Sequence, residues 1–330
     1  MKEIVNFTGR KWYGMPPRFD PEEGETVVAA PGKGYGYWAG APNSTYDPVN
    51  KKFYLYCRLR TPLLQERGGV CQILESGDGV NYKVAWEGNK NEFKANSIEK
   101  GSIIQDPVSG KWRLYLSYEV SGAYDRNPPT WRVDLMEADT PSAFDPRFSR
   151  PVIDAPMFGF TFVKDPTVCI VGGEYFVYTN VGFSDQHDPE NGDGLIKTRG
   201  RGWTALHRSG DGVRFSNAKI VLSPRKTGWD GFNTRMTSIC YLPPLWLAFY
   251  DGATHRADTY DEFCGLATSM DLEKFSMINE DGPWIKSPHG SGSIRYLDAL
   301  PVGNTLHYYY EYCLADGSHE LRHNAVDITA

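Results

Sequence analysis

Residues of opposite charge stand side by side or close together in this chain: Glu99 with Lys100, Lys164 with Asp165, and Arg295 in SIRYLDA not far before Glu311 in HYYYEY. Arg235 in NTRMTS, Asp251 in AFYDG, Glu262 in TYDEFCGLA and His319 in DGSHELR extend the set. Carboxyl groups gathered among cations are suited to proton transfer. Crowding raises the pKa of one, which keeps a proton to donate, while a neighbouring Lys or Arg holds another ionised as base or nucleophile. These residues are spread from position 99 to position 319, so the fold must bring them together.

The elements that could do so repeat along the chain. Five segments share a turn followed by an aromatic-rich alternating strand: DPVNKKFYLYCR, DPVSGKWRLYLSYE, VGGEYFVYTN, LPPLWLAFYDG and PVGNTLHYYYEY, beginning at residues 47, 106, 171, 242 and 301. A second motif follows most copies as DGVNY, PSAFDPRF, DGVRF and DLEKF. A period of about sixty residues is long for a solenoid and suits a four-stranded blade with generous loops. Helical periodicity is scarce, whereas period-two alternation recurs in every copy. The expectation is an all-β chain forming a single five-bladed β-propeller over residues 1–330, with four-stranded antiparallel blades. Residues 1–30 are expected to help close the ring against the last blade, which would cover an exposed sheet edge.

Blade geometry converts position into place. The repeated turns join the innermost strand of each blade to the second on one face, so the starts of inner strands and the ends of second strands meet on the opposite face. Inner strands beginning near WAGAPN, SIEKGS, FVKDPTV, NTRMTS and SIRYLDA put Trp38, Glu99, Lys100, Lys164, Asp165, Arg235 and Arg295 at that mouth. Second strands ending at Arg58, Glu119, Asn180, Asp251 and Glu311 join them, and the following loops add Tyr260, Asp261, Glu262, Asp316, His319 and Glu320. Other readings compete for several of these. Asp-Pro pairs at Asp47, Asp106 and Asp145 read as turns and are set aside. Asp165 is also followed by proline, but its place at a channel mouth beside Lys164 favours function. Arg235 and Arg295 could equally bridge blades or bind a ligand, Glu262 could be an ordinary strand-start carboxylate, and His319 could be a structural histidine.

Composition narrows the classes. Lys and Arg number 35 against 41 Asp and Glu, giving a net charge of −6, which argues against capture of nucleic acid or an anionic membrane. The longest apolar stretch, YLPPLWLAFY, is broken by prolines and far too short to span a bilayer, so a soluble cytoplasmic protein is expected. Cys57, Cys71, Cys169, Cys240, Cys264 and Cys313 lie in strand-like runs without a Cys-x-x-Cys pair and read as reduced core thiols. No phosphate-binding loop, dinucleotide fingerprint, HExxH or GxSxG occurs. The acidic loop SDQHDPENGDG lacks calcium-loop spacing and reads as solvated.

With VKDPTV on the third inner strand, SIEKGSIIQDPVSGKWRLYLS on the second and a DG-rich fourth blade, the chain resembles the five-bladed propeller glycosidase superfamily, which includes glycoside hydrolase families 43, 32 and 130. The resemblance is architectural over nearly the whole chain, with short motifs. It implies a carbohydrate-active enzyme working at the central funnel. In the family 43 pattern an aspartate on blade one is the base, an aspartate on blade three tunes the acid, and a glutamate on blade four is the acid. Here blade three supplies Asp165, while WAGAPN on blade one and NTRMTS on blade four carry no acid. The mannoside phosphorylase family carries an acid on blade two, near which this chain has Glu99, and holds phosphate with basic residues, a role open to Lys100, Lys164, Arg235 and Arg295.

The resulting expectation is an exo-acting, inverting glycoside hydrolase of short saccharides, with Glu99 and Asp165 as working pair and Glu262 and Glu311 as reserve acid or base. Trp38 would stack on a sugar face, and Lys100, Lys164, Arg235, Asp251, Arg295 and His319 would hold the substrate. A glycoside phosphorylase and a non-catalytic carbohydrate-binding propeller stand as alternatives. No cofactor is required, although a channel-bound Ca2+ would suit the fold, and the expected partner is a small saccharide rather than nucleic acid or membrane. The sequence sets no oligomeric state.

Overall fold

The computed structural model describes residues 15–120, 131–183 and 201–328, so the SDQHDPENGDG loop lies outside the described residues. Within them the regular structure is β-strand with short 3-10 turns and no α-helix, as the alternation expects. Among the described residues no helix is long and apolar enough to cross a membrane.

Strand β1 (Glu25–Val28) precedes the first antiparallel run, β2 (Trp38–Asp47), β3 (Lys52–Arg60), β4 (Gly68–Ser76) and β5 (Lys83–Asn89). The second sheet is β6 (Ala95–Gln105), β7 (Trp112–Val120), β8 (Trp131–Ala138) and β9 (Arg150–Asp154). The third is β10 (Phe162–Val171), β11 (Glu174–Gly182), β12 (Trp203–Ser209) and β13 (Ala218–Leu222). The fourth is β14 (Asn233–Leu242), β15 (Leu245–Ala253), β16 (Phe263–Ser269) and β17 (Phe275–Met277). The last is β18 (Ile294–Val302), β19 (Thr305–Cys313) and β20 (His319–Asp327), and its fourth strand is β1, antiparallel to β20. Single parallel bridges at Gly202–Asn233, Phe263–Ile294 and Trp38–His319 tie neighbouring sheets at the starts of inner strands.

Apolar clusters fill the spaces between consecutive sheets. Tyr54 and Ile73 of the first meet Trp112 and Leu114 of the second, and Tyr115 and Val133 of the second meet Val168 and Val177 of the third. Tyr178 packs with Ala248 and Tyr250, and Phe249 with Tyr308 and Tyr310. Leu55 and Cys57 of the first sheet pack on Tyr309 and Leu321 of the last, so the circuit returns to its start. The alternating pattern that puts aromatics on both faces of each second strand is what these interfaces require. All six cysteines are buried thiols, and none of them is in a disulfide.

The repeated motifs are structural. Asp47 and Asp106 accept backbone N–H groups two and three residues ahead, at 2.9 and 3.1 Å from Val49 and Asn50 and at 2.7 and 3.2 Å from Val108 and Ser109. Asp78, Asp211 and Asp271 do the same in the later turns, each with a serine two residues before it. Short acidic side chains that satisfy the turn's own donors explain why Asp recurs there.

Inner strands also share a break in register. In β2 the pairing skips Ala41 and Pro42, in β6 Glu99 and Lys100, in β10 Asp165 and Pro166, and in β18 Tyr296 and Leu297. Ala41, Asp165 and Tyr296 adopt left-handed backbone at φ 55°, 56° and 52°. Such bulges re-aim a side chain out of the regular alternation.

Candidate active site

Because the bulges fall near the starts of inner strands, Glu99, Asp165 and Tyr296 emerge together with residues from the ends of the second strands. Register places Arg58 opposite Gly40, Asp251 opposite Arg235 and Glu311 opposite Arg295. Gly40 allows this crowding, since a Cβ there would lie 2.1 Å from Glu311 Oε2.

The result is a circuit of alternating charge. Arg58 Nη1 donates to Glu99 Oε2, and Arg58 Nη2 lies 3.9 Å from Glu311 Oε2. Glu311 Oε1 accepts from Arg295 Nε at 2.7 Å, whose Nη1 reaches Glu262 Oε2 at 3.1 Å. Arg235 Nη2 donates to Glu262 Oε2 at 2.8 Å and Asp251 Oδ2 at 2.6 Å, while its Nη1 donates to Asp165 Oδ2 at 3.2 Å. Asp165 Oδ1 accepts the backbone N–H of Lys100 at 3.2 Å, which returns the circuit to the residue after Glu99. Thus Glu99, Asp165, Glu262 and Glu311, drawn from four sheets, share three arginines. All seven side chains are buried.

Tyr296 lies at the centre, with the guanidinium carbons of Arg235, Arg295 and Arg58 at 3.9, 5.4 and 5.6 Å from its ring centroid. Its backbone N–H donates to both oxygens of Asp251 at 3.0 Å. His319 donates from Nδ1 to Glu311 Oε1 at 2.8 Å and has Nε2 3.6 Å from Asp261 Oδ1. Lys100 is directed into the third inner strand, where Nζ donates to Pro166 O at 2.8 Å and Thr167 Oγ1 at 3.1 Å. Trp38 is only 2% exposed, because Arg295 and Arg60 lie 4.6 and 5.1 Å from its ring and His319 stacks on it at 5.2 Å. Asp316 and Glu320 fall outside the circuit, Asp316 capping Ser318 N–H at 2.9 Å and Glu320 pairing with Arg322 at 2.6 Å. Asn180 holds Asn233 at 3.1 Å.

The environments set different proton affinities. Burial pushes the Glu99 carboxyl up, but Arg58, Lys164, Arg60 and Arg67 outweigh it and hold the group down at about 2. Glu311 is likewise held well below the usual carboxylate range by Arg295 and His319 against its burial. Burial raises Asp251 to about 7, with Glu262 adding to the shift and Arg235 opposing it. Glu119 is raised by burial, opposed by Arg67 and reinforced by Glu99. Burial lowers Lys100 to about 8, against Asp298 and Asp165. Burial would lower His319 too, but Asp261, Cys313 and Glu311 carry it to about 10.

Several mouth residues fall outside the expected working set. Glu119, at the end of β7, is bound by Arg67 at 2.7 Å through Oε2. Arg60 follows Arg58 by two positions, which the strand's alternation turns toward the same face. Tyr296 directly follows Arg295, and only the bulge brings both to the centre. Among the described residues, no group of three or more His, Cys, Asp or Glu is disposed to hold a metal ion.

No protein-family profile matches the chain, and no curated protein matches it in sequence. Solved structures do match in shape. A thermostable family-43 glycoside hydrolase is 14% identical with a TM-score of 0.63 over 92% of each chain. A family-43 subfamily 1 enzyme from Xanthomonas citri complexed with xylotriose is 11% identical with a TM-score of 0.61 over 91% of this chain and 89% of its own. An N-acetylgalactosamine deacetylase from F. plautii in complex with blood group B trisaccharide is 11% identical with a TM-score of 0.62, over 91% of this chain and 92% of its own. The expected resemblance in architecture is therefore met, and the chain has the fold of the propeller glycoside hydrolases.

Proposed function

We propose that the five four-stranded sheets are the blades of one closed propeller and that the chain is a glycoside hydrolase of short saccharides. The observation that carries this reading is the convergence of Glu99, Asp165, Glu262 and Glu311 on three shared arginines at one end of the inner strands.

Cleaving a glycosidic bond needs a proton delivered to the leaving oxygen and an ionised carboxylate on the opposite side of the anomeric carbon. Glu99, held ionised by the cations around it, fits the second role. Its Oε2 accepts from Arg58 and its Oε1 from Ser97 Oγ at 3.3 Å, an arrangement better suited to orienting a water than to attacking carbon directly. That favours inversion. Glu119 fits the acid role: its carboxyl is raised, and Arg67 occupies one of its oxygens. Asp165, Glu262 and Glu311 then act as positioning residues that hold the arginines. The buried Tyr296 ring among the three guanidinium groups would serve as the floor of the site, and a site with a floor receives a chain terminus, so exo action is part of the proposal.

Ala41, placed in the first inner strand where Asp165 stands in the third, favours a second reading in which the propeller binds saccharides without cutting them. Product formation decides between them. The chain is incubated with oligosaccharides and aryl glycosides of both anomers, furanoside and pyranoside, with and without inorganic phosphate. Phosphate-independent release of a monosaccharide, with the inverted anomer seen first by NMR and lost in Glu99→Gln, is the expected result. Release only with phosphate makes the chain a phosphorylase, and binding without products makes it a lectin-like propeller.

A further inference from the structure

Around Glu99 and Glu119 the cations outnumber the acids. Arg58 and, at 3.8 Å, Arg60 both face Glu99, and Arg67 is paired with Glu119, so with Lys164 four cations meet two acids. Arg60 is 6% exposed, yet its guanidinium makes no hydrogen bond among the described residues, and its nearest acid, Glu99 Oε1, is 3.8 Å from Nη1. It lies 5.1 Å from both the Trp38 and Tyr260 ring centroids, and the rings keep water from its faces while leaving the planar edge of donors available. Tyr260 is 38% exposed and so marks the outer side of this arrangement. Lys164 is partly exposed and its side chain has neither a hydrogen bond nor an ion pair among the described residues, its Nζ standing 5.4 Å from the Trp131 ring centroid and 6.0 Å from that of Phe162.

None of the Arg60 nitrogens is among the fully buried polar atoms without a partner, so its donor edge reaches solvent and is open to the oxygens of a ligand. Burial lowers the Arg60 pKa, Glu99 opposes that, and Arg58 and Arg295 add to it, so the single carboxylate beside it does not offset burial and its cationic neighbours and a further negative charge is favoured at this spot. Both surplus cations act on Glu99, so the missing charge belongs beside the proposed reaction centre rather than on a remote face.

We propose that Arg60 and Lys164 form an oxyanion subsite at the funnel mouth, next to Glu99. This rests on the saccharide-cleaving reading above and narrows it. The oxyanion is either the carboxylate of a uronic acid residue in the saccharide or inorganic phosphate. Both present oxygens to a guanidinium fork and an ammonium in the same way.

Calorimetric titration of the full chain separates the cases. The ligands are glucuronic and galacturonic acid disaccharides, their neutral glucose and galactose counterparts, and inorganic phosphate alone. The subsite predicts that one oxyanion source binds about 10–100-fold more tightly than the neutral sugars, and that Arg60→Gln abolishes the difference while neutral-sugar binding persists. Preference for the acidic disaccharides identifies a uronate, and tight binding of phosphate alone identifies phosphate. Should Arg60→Gln fail to fold, Lys164→Gln, whose side chain is partly exposed, is expected to reduce the preference several-fold, and raising the salt concentration should weaken it. Equal affinity for acidic and neutral sugars with no phosphate binding overturns the subsite and leaves the glycosidase reading standing. Absence of binding or turnover with every saccharide overturns both.

Discussion

Ala41 occupies in the first sheet the position that Asp165 occupies in the third. Each is skipped by the strand pairing, each is followed by proline, and their φ angles are 55° and 56°. One fold place thus carries an acid in one repeat and a methyl group in another. Asp165→Ala gives the third sheet a residue that this backbone already accepts, and Arg235 keeps Asp251 and Glu262 as partners. The expected destabilisation is about 2 kcal/mol, mainly from the buried Lys100 N–H left without its acceptor. Urea unfolding measures it, and a loss near zero would mean that the Asp165 contacts contribute nothing net.

Arg235→Met should be far more damaging. It removes the common partner of Asp165, Asp251 and Glu262, all buried. Stripping one side of a buried ion pair costs about 3–5 kcal/mol, and here three carboxylates lose it together. The same unfolding experiment should rank Arg235→Met well below Asp165→Ala, and Arg235→Lys between them, since an ammonium keeps the charge and loses the fork.

Glu119→Gln should lower kcat on unactivated saccharides by roughly 100-fold or more while sparing aryl glycosides whose leaving group needs no proton. Wild-type kcat should fall as pH rises through the elevated Glu119 carboxyl, and that alkaline limb should vanish in the variant. A uniform loss on both substrate types would assign Glu119 a structural role.

Acid should destabilise the protein through buried histidines. His307 Nδ1 lies 3.0 Å from His323 Nε2, and burial lowers both from 6.5 to about 4. The unfolded chain takes these protons near pH 6.5 and the folded one resists until about 4. Stability is therefore full above 6.5, declines as pH falls toward 4 and levels below that. With allowance for water near the pair, the loss for the two histidines together is on the order of 5 kcal/mol. Urea midpoints from pH 7.5 to 4 should show this slope, flattened in the His307→Gln, His323→Gln double variant. His319 works in the opposite sense: raised to about 10 by Asp261, Cys313 and Glu311, it stabilises fully below 6.5 and loses that contribution as pH climbs through 10.

Gly24→Ala tests how the chain's beginning meets its end. A Cβ at Gly24 would sit 2.0 Å from Tyr310 Oη and 3.2 Å from His323 O. Tyr310 Oη donates to Pro21 O at 2.9 Å, so the ring has little room to move. Overpacking of this kind costs about 1–3 kcal/mol, read as a lower thermal midpoint.

The strands were legible because alternation and turn chemistry are local. FYLYCR, WRLYLSYE and HYYYEY declare themselves as second strands, and the aspartates of DPVN and DPVS as turn formers. The topology then placed Glu99, Asp165, Arg235, Glu262, Arg295 and Glu311 at one mouth without knowledge of their partners. Side-chain direction was not legible. A bulge shifts residues out of alternation, and nothing local distinguishes Glu99, which stays at the mouth, from Lys100, which turns into the next sheet. Nor does sequence show that the Trp38 ring is covered by Arg295 and His319, since those contacts join residues more than 250 positions apart.

The pairing of β1 with β20 fixes an order of assembly. Strand β1 finds its neighbour only after every other strand described above has been made. The charge circuit depends on the same late arrivals, because Arg295 and Glu311 lie on β18 and β19. Until they emerge, Glu262 lacks one of its two arginines and Arg58 has Glu99 alone. Contacts of such long sequence separation slow folding and prolong the life of partly built states. A chain stopped after the fourth sheet would therefore hold four finished sheets around a half-neutralised centre, with the edge partner of β1 missing, a state open to aggregation until β18, β19 and β20 dock.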